Sequence, residues 1–318
     1  MPLQQGRDLH IDKPLSNYVI GRRPPGYIAD QLVPVLSVGK RSDIYYKRNY
    51  KENIIWTPNL TAMAEGARAK EVFFSVSSDT YYARKFGLGT YWVTEDEVNA
   101  DEVIQFDRDS AELVTDRLLI DYEMRIAALI NTAANVSTTT HVATAWSNST
   151  GSRPFDDLAD QVEAFRAQNM LRPNVAVIPE QIMAKLRKND QIRDLLFGDR
   201  GGVATNDQIA ALLNIGKVLT PETFVNTQGP AETLAGSGSL SAAWGNKVLL
   251  AYVSPAPGRM VDTWVQAFRW TNPAFGVPFA IRRHPYDSVR MKQSIDAIYY
   301  QTEKVISPDL AFLVDSVI

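Results

Sequence analysis

An α+β fold is predicted for this chain from three observations. Residues 95–136 contain neither Pro nor Gly, so nothing in them interrupts a helix. Residues 154–253 alternate helical patterns with short apolar runs, the habit of an α/β lobe. From Trp264 onward the segments VQAFRW, FAIRR, SIDAIYYQ and FLVDSVI read as strands. At 318 residues the chain has room for two domains, or for one domain with large extensions. Its 45% hydrophobic and 22% charged residues are those of a folded protein, not a disordered one.

The N-terminal 47 residues are expected to be extended. Pro2, Pro14, Pro24, Pro25 and Pro34 punctuate them too often for a helix of any length. Tyr27 to Val33 fits a short amphipathic turn, and Lys40 to Tyr46 a strand. Such an arm has little core of its own and orders on something else. Between 48 and 94, Asn53–Thr57 and Val72–Val76 read as the two arms of a long β-hairpin with its tip near Glu65-Gly66-Ala67. Gly87-Leu88-Gly89 reads as a turn among Tyr81, Tyr82, Phe86, Tyr91 and Trp92. A two-stranded ribbon of this length is marginal alone and needs a partner surface.

Residues 95–136 are expected to form one continuous helix of about 60 Å. Ile104, Ala111, Val114, Leu118, Tyr122, Leu129 and Ala133 share one stripe, while Leu113, Ile120, Met124 and Ala127 make a weaker one on the opposite side. Two stripes predict a helix covered from two directions, a spine. Glu95, Asp96, Glu97, Asp101 and Glu102 crowd its start, where the helix dipole favours negative charge. The net charge of −3 therefore hides an asymmetry. Residues 1–51 carry nine basic against four acidic side chains, and residues 95–125 carry three against eleven. A basic arm beside an acidic spine can pair with it, within one chain or between neighbours.

SNSTGSRP at 147–154 marks a boundary. Beyond it, Pro154 to Met170 is predicted helical, with Leu158, Val162, Phe165 and Met170 on one face. Val175–Ile178 is a buried-type strand, and Pro179 to Phe197 is a second helix with Pro179 in its first turn. Asp207 to Leu213 is a short helix, Lys217 to Val225 includes a strand, Pro230 to Ser241 is a surface loop and Lys247–Val253 is a strand.

Little in the chain points to chemistry. There is no Cys, which removes disulfides, thiolate nucleophiles and thiolate metal sites together. His10, His141 and His284 have no metal-type spacing. GDRGG at 198–202 lacks the Lys-Ser/Thr of a phosphate-binding loop, the glycine pairs lack a dinucleotide-binding context, and no Gly-x-Ser-x-Gly elbow is present. No catalytic, cofactor-binding or metal site is predicted. No apolar run approaches the roughly 18 residues needed to span a bilayer, and the N-terminus lacks the apolar core of a secretion signal.

Taken in order, PPGYIADQLVPVLSVGKRSDIYYK at 24–47, AEGARAKEV at 64–72, YWVTEDEVNADEVIQFDRDSAELVTDRLLIDYEMRIAALI at 91–130 and PFDDLADQVEAFRAQNMLRPNVAVIPEQIMAKLRKNDQIRDLL at 154–196 resemble the major capsid proteins of tailed bacteriophages, the Hong Kong 97 fold. NDQIAALLNIGKVLTPETFVNT and WGNKVLLAYVSP resemble later elements of the same family. The resemblance rests on order and texture over nearly the whole chain. It implies an N-terminal arm at 1–50, an extended E-loop hairpin at 51–92, a P-domain spine helix at 93–150 and an A-domain at 151–265. P-domain strands at 266–305 and a C-terminal strand returning to the A-domain at 306–318 complete it.

The same resemblance implies a non-enzymatic subunit that assembles with itself into the hexamers and pentamers of an icosahedral shell around double-stranded DNA. The E-loop and arm would reach across neighbours, and maturation would change subunit packing as the head fills. It implies a portal, a decoration protein and a separate scaffolding protein as partners, because the arm begins too near Met1 to leave room for a scaffolding segment. DNA would be contacted nonspecifically and membranes not at all. The shell would be the virion capsid, assembled in the host bacterial cytoplasm. Some family members cross-link a loop Lys to a neighbour's Asn. Lys70 and Lys85 lie in or near the loop, but no Asn or Glu marks that constellation, so cross-linking is not expected. A nanocompartment shell of the encapsulin type is the nearest alternative, disfavoured by the Pro-broken arm, and a soluble α/β enzyme with an acidic cleft is a remote one.

Overall fold

The computed structural model describes residues 10–20, 24, 26–48, 51–52, 58, 61–73, 75–100, 105–198, 202–226 and 240–318. All of the Asn53–Thr57 strand expectation and most of the Pro230–Ser241 loop lie outside them. Two mixed sheets, one projecting hairpin and a small two-stranded sheet of β9 (Phe224–Asn226) and β10 (Leu240–Ala242) make up the described fold, and a long helix joins the two mixed sheets.

The first sheet is built on β14 (Lys292–Val305), the longest strand. Along one edge β5 (Arg84–Val93) runs antiparallel for ten residues, from Arg84 opposite Gln301 to Val93 opposite Lys292. Along the other, β12 (Val265–Trp270) and β13 (Phe279–Arg283) follow in tandem. β1 (His10–Ile11) adds to β13, and β2 (Val35–Val38) adds parallel to β12. Gly87 and Gly89 lie inside β5 rather than at a turn. A Cβ on Gly87 would sit 3.1 Å from the Ala297 carbonyl oxygen, and one on Gly89 3.2 Å from that of Ile295. The two glycines let strand backbones approach closely, a use that local composition does not distinguish from a turn.

The second sheet has the order β6 (Thr138–His141), β15 (Ala311–Asp315), β11 (Val248–Ala251), β7 (Val175–Val177) and β8 (Lys217–Leu219), with parallel pairs outermost and antiparallel pairs at the centre. β7 and β11 are buried at every residue, as expected of strands covered on both faces. Around them pack α5 (Pro154–Asn169), α6 (Glu180–Leu186), α7 (Asp190–Phe197) and α8 (Asn206–Leu213). The single helix expected over 179–197 is two, because the Asn189 side chain accepts the Gln191 N–H at 3.0 Å and starts α7 afresh. Met170 is not on the buried face of α5. It ends the helix in the left-handed region at φ 55° and is exposed.

The spine is shorter than expected. α3 (Thr94–Asn99) stops before an extended Ala100, and α4 (Phe106–Asn131) begins again with its own acids, Asp107 and Asp109, in the first turn. Trp92 donates from Nε1 to Glu97 at 3.0 Å, holding α3 against β5, while Arg283 holds Asp107 at 2.6 Å. At 26 residues α4 spans about 40 Å. Its stripe bridges two cores. Ala111, Val114 and Leu118 pack with Trp92, Ile295, Ala297 and Tyr299 of the first sheet. Tyr122, Ile126, Ala127 and Ile130 enter the larger core of the second. The opposite stripe is covered only in part: Leu113 and Met124 are exposed, whereas Ala127 is buried in the larger core and Ile120 packs against it.

The arm is more ordered than its prolines suggest. α1 (Lys13–Ile20) forms because Pro14 occupies the first turn, where its missing N–H costs nothing, and Asp12 caps the helix by accepting the Leu15 N–H at 3.0 Å. α2 (Ala29–Leu32) is the amphipathic turn expected over 27–33, with Ile28, Ala29, Leu32 and Val33 all buried in the larger core.

Candidate assembly surfaces

Among the described residues no three His, Asp or Glu side chains come together as a metal site. His141 lies exposed beside Ser316 at 3.3 Å, His284 lies 3.3 Å from Asp296, and His10 sits in β1 opposite Arg283. What the molecule offers instead is uncovered surface, and the hairpin carries most of it.

β3 (Ser42–Arg48) and β4 (Val76–Tyr82) pair antiparallel, Ser42 opposite Tyr82 and Arg48 opposite Val76. The hairpin thus starts earlier than the sequence indicates, with the Lys40–Tyr46 strand as one of its arms, and Val76 begins the other. Its base is fixed. Tyr81 stacks on Phe268 of β12 at 4.7 Å, Tyr45 packs on the same ring at 5.1 Å, and all three are buried. Asp79 accepts from the Thr80 N–H, from Lys47 at 3.1 Å and from Tyr45 at 3.0 Å, which holds its carboxyl down at about 2. Arg41 lies over the rings of Tyr82 and Tyr300.

Away from that base the described residues of the ribbon are largely exposed. Residues 61–73 are exposed throughout, including Met63, Val72 and Phe73, the last at 84%. Ile44, Tyr46, Val76 and Tyr82 are exposed on the strands themselves. The Glu65-Gly66 turn sits where the sequence puts the tip, with Gly66 at φ 78° and Ala67 N–H donating to Ala64 at 3.1 Å. A run of exposed apolar side chains on a two-stranded ribbon marks an interaction surface.

A second uncovered surface is the face of the first sheet opposite α4. Gly87 and Gly89 floor a shallow trough of about 540 Å³, rimmed by Lys85, Tyr91, Arg282, His284 and Lys292. Arg282 and His284 both engage Asp296, and Lys292 lies over the Tyr91 ring at 4.6 Å. Beside it, the end of the sheet exposes Tyr286, Val289, Met291 and the α3 residue Val98.

The pairing of a basic arm with an acidic spine is not how the described residues of the two meet. Tyr18 contacts both Arg108 and Glu112, and Asp12 and Asp107 share Arg283. The arm-side cations Lys40, Lys47 and Lys51 pair instead with Asp43, Asp79 and Asp309. Arg7, Arg22 and Arg23 lie outside the described residues.

No family model matches the chain. The major capsid protein of Pseudomonas phage JBD67 is 26% identical over 259 residues, spanning 80% of this chain and 79% of that protein. A phage-related protein from Bordetella bronchiseptica RB50 superposes with a TM-score of 0.72 at 17% identity, covering 97% of this chain and 98% of that one. The capsid of Cyanophage P-SCSP1u superposes with a TM-score of 0.60 at 13% identity, covering 89% and 86%. The chain has the Hong Kong 97 capsid fold. Within this capsid fold the hairpin is a built feature, anchored by buried aromatics at one end and exposed at the other. The sequence shows the exposed tip in its small, polar AMAEGARAK. The anchor it does not show, because Phe268 lies more than 180 residues from Tyr81.

Proposed function

We propose that this chain is the major capsid protein of a tailed bacteriophage, a structural subunit whose copies form the hexamers and pentamers of an icosahedral shell around double-stranded DNA. The observation that carries the reading is the hairpin. A ribbon with exposed Met63, Val72 and Phe73 and no core of its own lowers its free energy only by covering a neighbour. The capsid fold and the phage relative support the same conclusion.

In this reading residues 1–41 act as the arm, the 42–82 hairpin as the E-loop, α4 with the β14 sheet as the P-domain, and the β11 sheet with its helices as the A-domain. β6 and the C-terminal β15 belong with the A-domain sheet. The chain works by association and not by catalysis. A separate scaffolding protein, a portal and a decoration protein are its proposed partners, packaged DNA is contacted nonspecifically, and assembly takes place in the host bacterial cytoplasm.

The test is to express the chain with and without a candidate scaffold, and to measure particle mass by light scattering beside negative-stain microscopy. Hollow icosahedral shells, or free five- and six-membered rings, are expected. A stable monomer or small dimer in the presence of scaffold overturns the reading. Protein cargo rather than nucleic acid in the particle would make it a nanocompartment.

A further inference from the structure

Tyr122 of α4 is 4% exposed, yet its hydroxyl has no hydrogen-bond partner among the described residues. A buried polar group in that position has lost its bonds to water without replacing them, which calls for a reason. Tyr122 lines a recess of about 100 Å³ between the arm, the spine and the first sheet. Arg269 and Tyr299, two of the groups whose charges act on that hydroxyl, line the same recess. Val19, Ile20, Leu118, Leu119 and Phe279 form its apolar walls.

We propose that this recess is a binding site for a compact aliphatic molecule headed by an acceptor oxygen, a short carboxylic acid or its amide. The groups without partners are donors. One is the Tyr122 hydroxyl. The other is the Arg269 guanidinium, which gives its Nε to Gln301 at 2.8 Å and makes no further hydrogen bond among the described residues. A ligand that brought only donors would leave both unmet. The remaining polar groups of the wall are engaged. Thr115 donates to the Ala111 carbonyl at 2.7 Å, Tyr299 accepts from Arg125 at 3.1 Å, and Gln301 donates to Glu303 at 2.9 Å. Among the described residues the wall carries one cation, Arg269, and one carboxylate, Asp30, so that its net charge admits the acid and the amide alike. Its volume falls below the roughly 150 Å³ that takes a benzene ring, which limits the ligand to about four carbons.

The next residue along the spine, Glu123, does not serve this site. Its oxygens accept the Ala29 N–H of α2 at 2.6 Å and the Trp244 indole N–H at 2.9 Å, and it lines a separate recess of about 30 Å³ beside Tyr27. The proposed site draws Val19 and Ile20 from α1, Leu118 and Tyr122 from α4, and Phe279 from β13. A molecule held there touches three elements far apart in sequence and fastens the arm helix to the spine. By mass action it stabilises the fold. The site is complete within one chain and operates whether or not copies assemble.

The test is saturation-transfer nuclear magnetic resonance on the full chain, which detects a bound small molecule on free subunits and on large particles alike. The probes are isobutyrate, isobutyramide and isobutylammonium. Isobutyrate or isobutyramide is expected to receive saturation, and the tighter of the two identifies the head group. Isobutylammonium has the same shape with donors alone and is expected to receive none. Tyr122→Phe is expected to weaken the preferred probe on the order of tenfold. Without probe the same variant keeps its thermal midpoint or raises it, because the hydroxyl has no partner to lose. Leu119→Phe fills the recess from a half-buried position and is expected to abolish binding while leaving both donors in place. Four results each overturn the site: no saturation of either oxygen-headed probe, so that the hydroxyl meets only water; equal saturation of the ammonium; undiminished binding in Tyr122→Phe; or a lowered midpoint in that variant.

Discussion

The lobe and the hairpin differ in what they are folded against. In the lobe, β7 and β11 are buried at every position, and Phe165 of α5 meets Phe312 of β15 edge-on at 5.0 Å. In the hairpin, β4 buries Tyr81 and leaves most of its other residues exposed. The lobe satisfies itself within one chain. The hairpin packs on Phe268 at its base, and its residues 61–73 stay exposed. The difference shows that one part of a chain can complete its core within that chain while another part buries little of its own surface.

Several changes break or sharpen that contrast. The largest effect expected is on assembly. Deleting residues 61–70 leaves the thermal unfolding of the subunit where it was and abolishes closed particles by light scattering; normal particles from this deletion would refute the hairpin as an inter-subunit element. Phe165→Ala does the reverse, costing about 3–5 kcal/mol of subunit stability in a denaturant titration, because the ring is fully buried. Acidification and its opposite test the junction between the two sheets. Glu123 has a folded value raised above its unfolded one, so it favours the fold at low pH. That contribution is lost as pH climbs from 4.5 through about 7, by up to about 3 kcal/mol, and Glu123→Gln removes the slope. The smallest effect concerns the tip itself. Phe73→Ser changes subunit stability by no more than about 0.5 kcal/mol, as expected for a side chain 84% exposed, yet weakens particle formation measured by the critical subunit concentration.

Much of the lobe was legible in the sequence, because its signals are local. The Pro154 helix, the Val175 strand, the Asn206 helix and the Val248 strand each follow from periodicity within a dozen residues. What was not legible depends on distant partners. Pro14 looks like a helix breaker until Asp12 is seen to cap α1, and Gly87-Leu88-Gly89 looks like a turn until β14 lies against it. The Lys40–Tyr46 strand was visible, but its pairing with β4 was not. The acids of 95–102 suggested one helix start, whereas Trp92 and Arg283 divide the segment into two helices with separate acidic first turns. Of the assembly surfaces, the tip was visible in composition, and the glycine-floored trough was not. Glu123 was hidden for a further reason. On an acidic helix one more Glu reads as solvated face, and only the fold shows Ala29 and Trp244 closing over it.

The central claim is that the hairpin is ordered by neighbours and the lobe by itself. Hydrogen–deuterium exchange on unassembled subunits and on closed particles tests it directly. Residues 61–73 are expected to exchange rapidly in the subunit and to become protected in the particle, while β7 and β11 are slow in both. Equal exchange of 61–73 in the two states, with particles formed, would contradict the account.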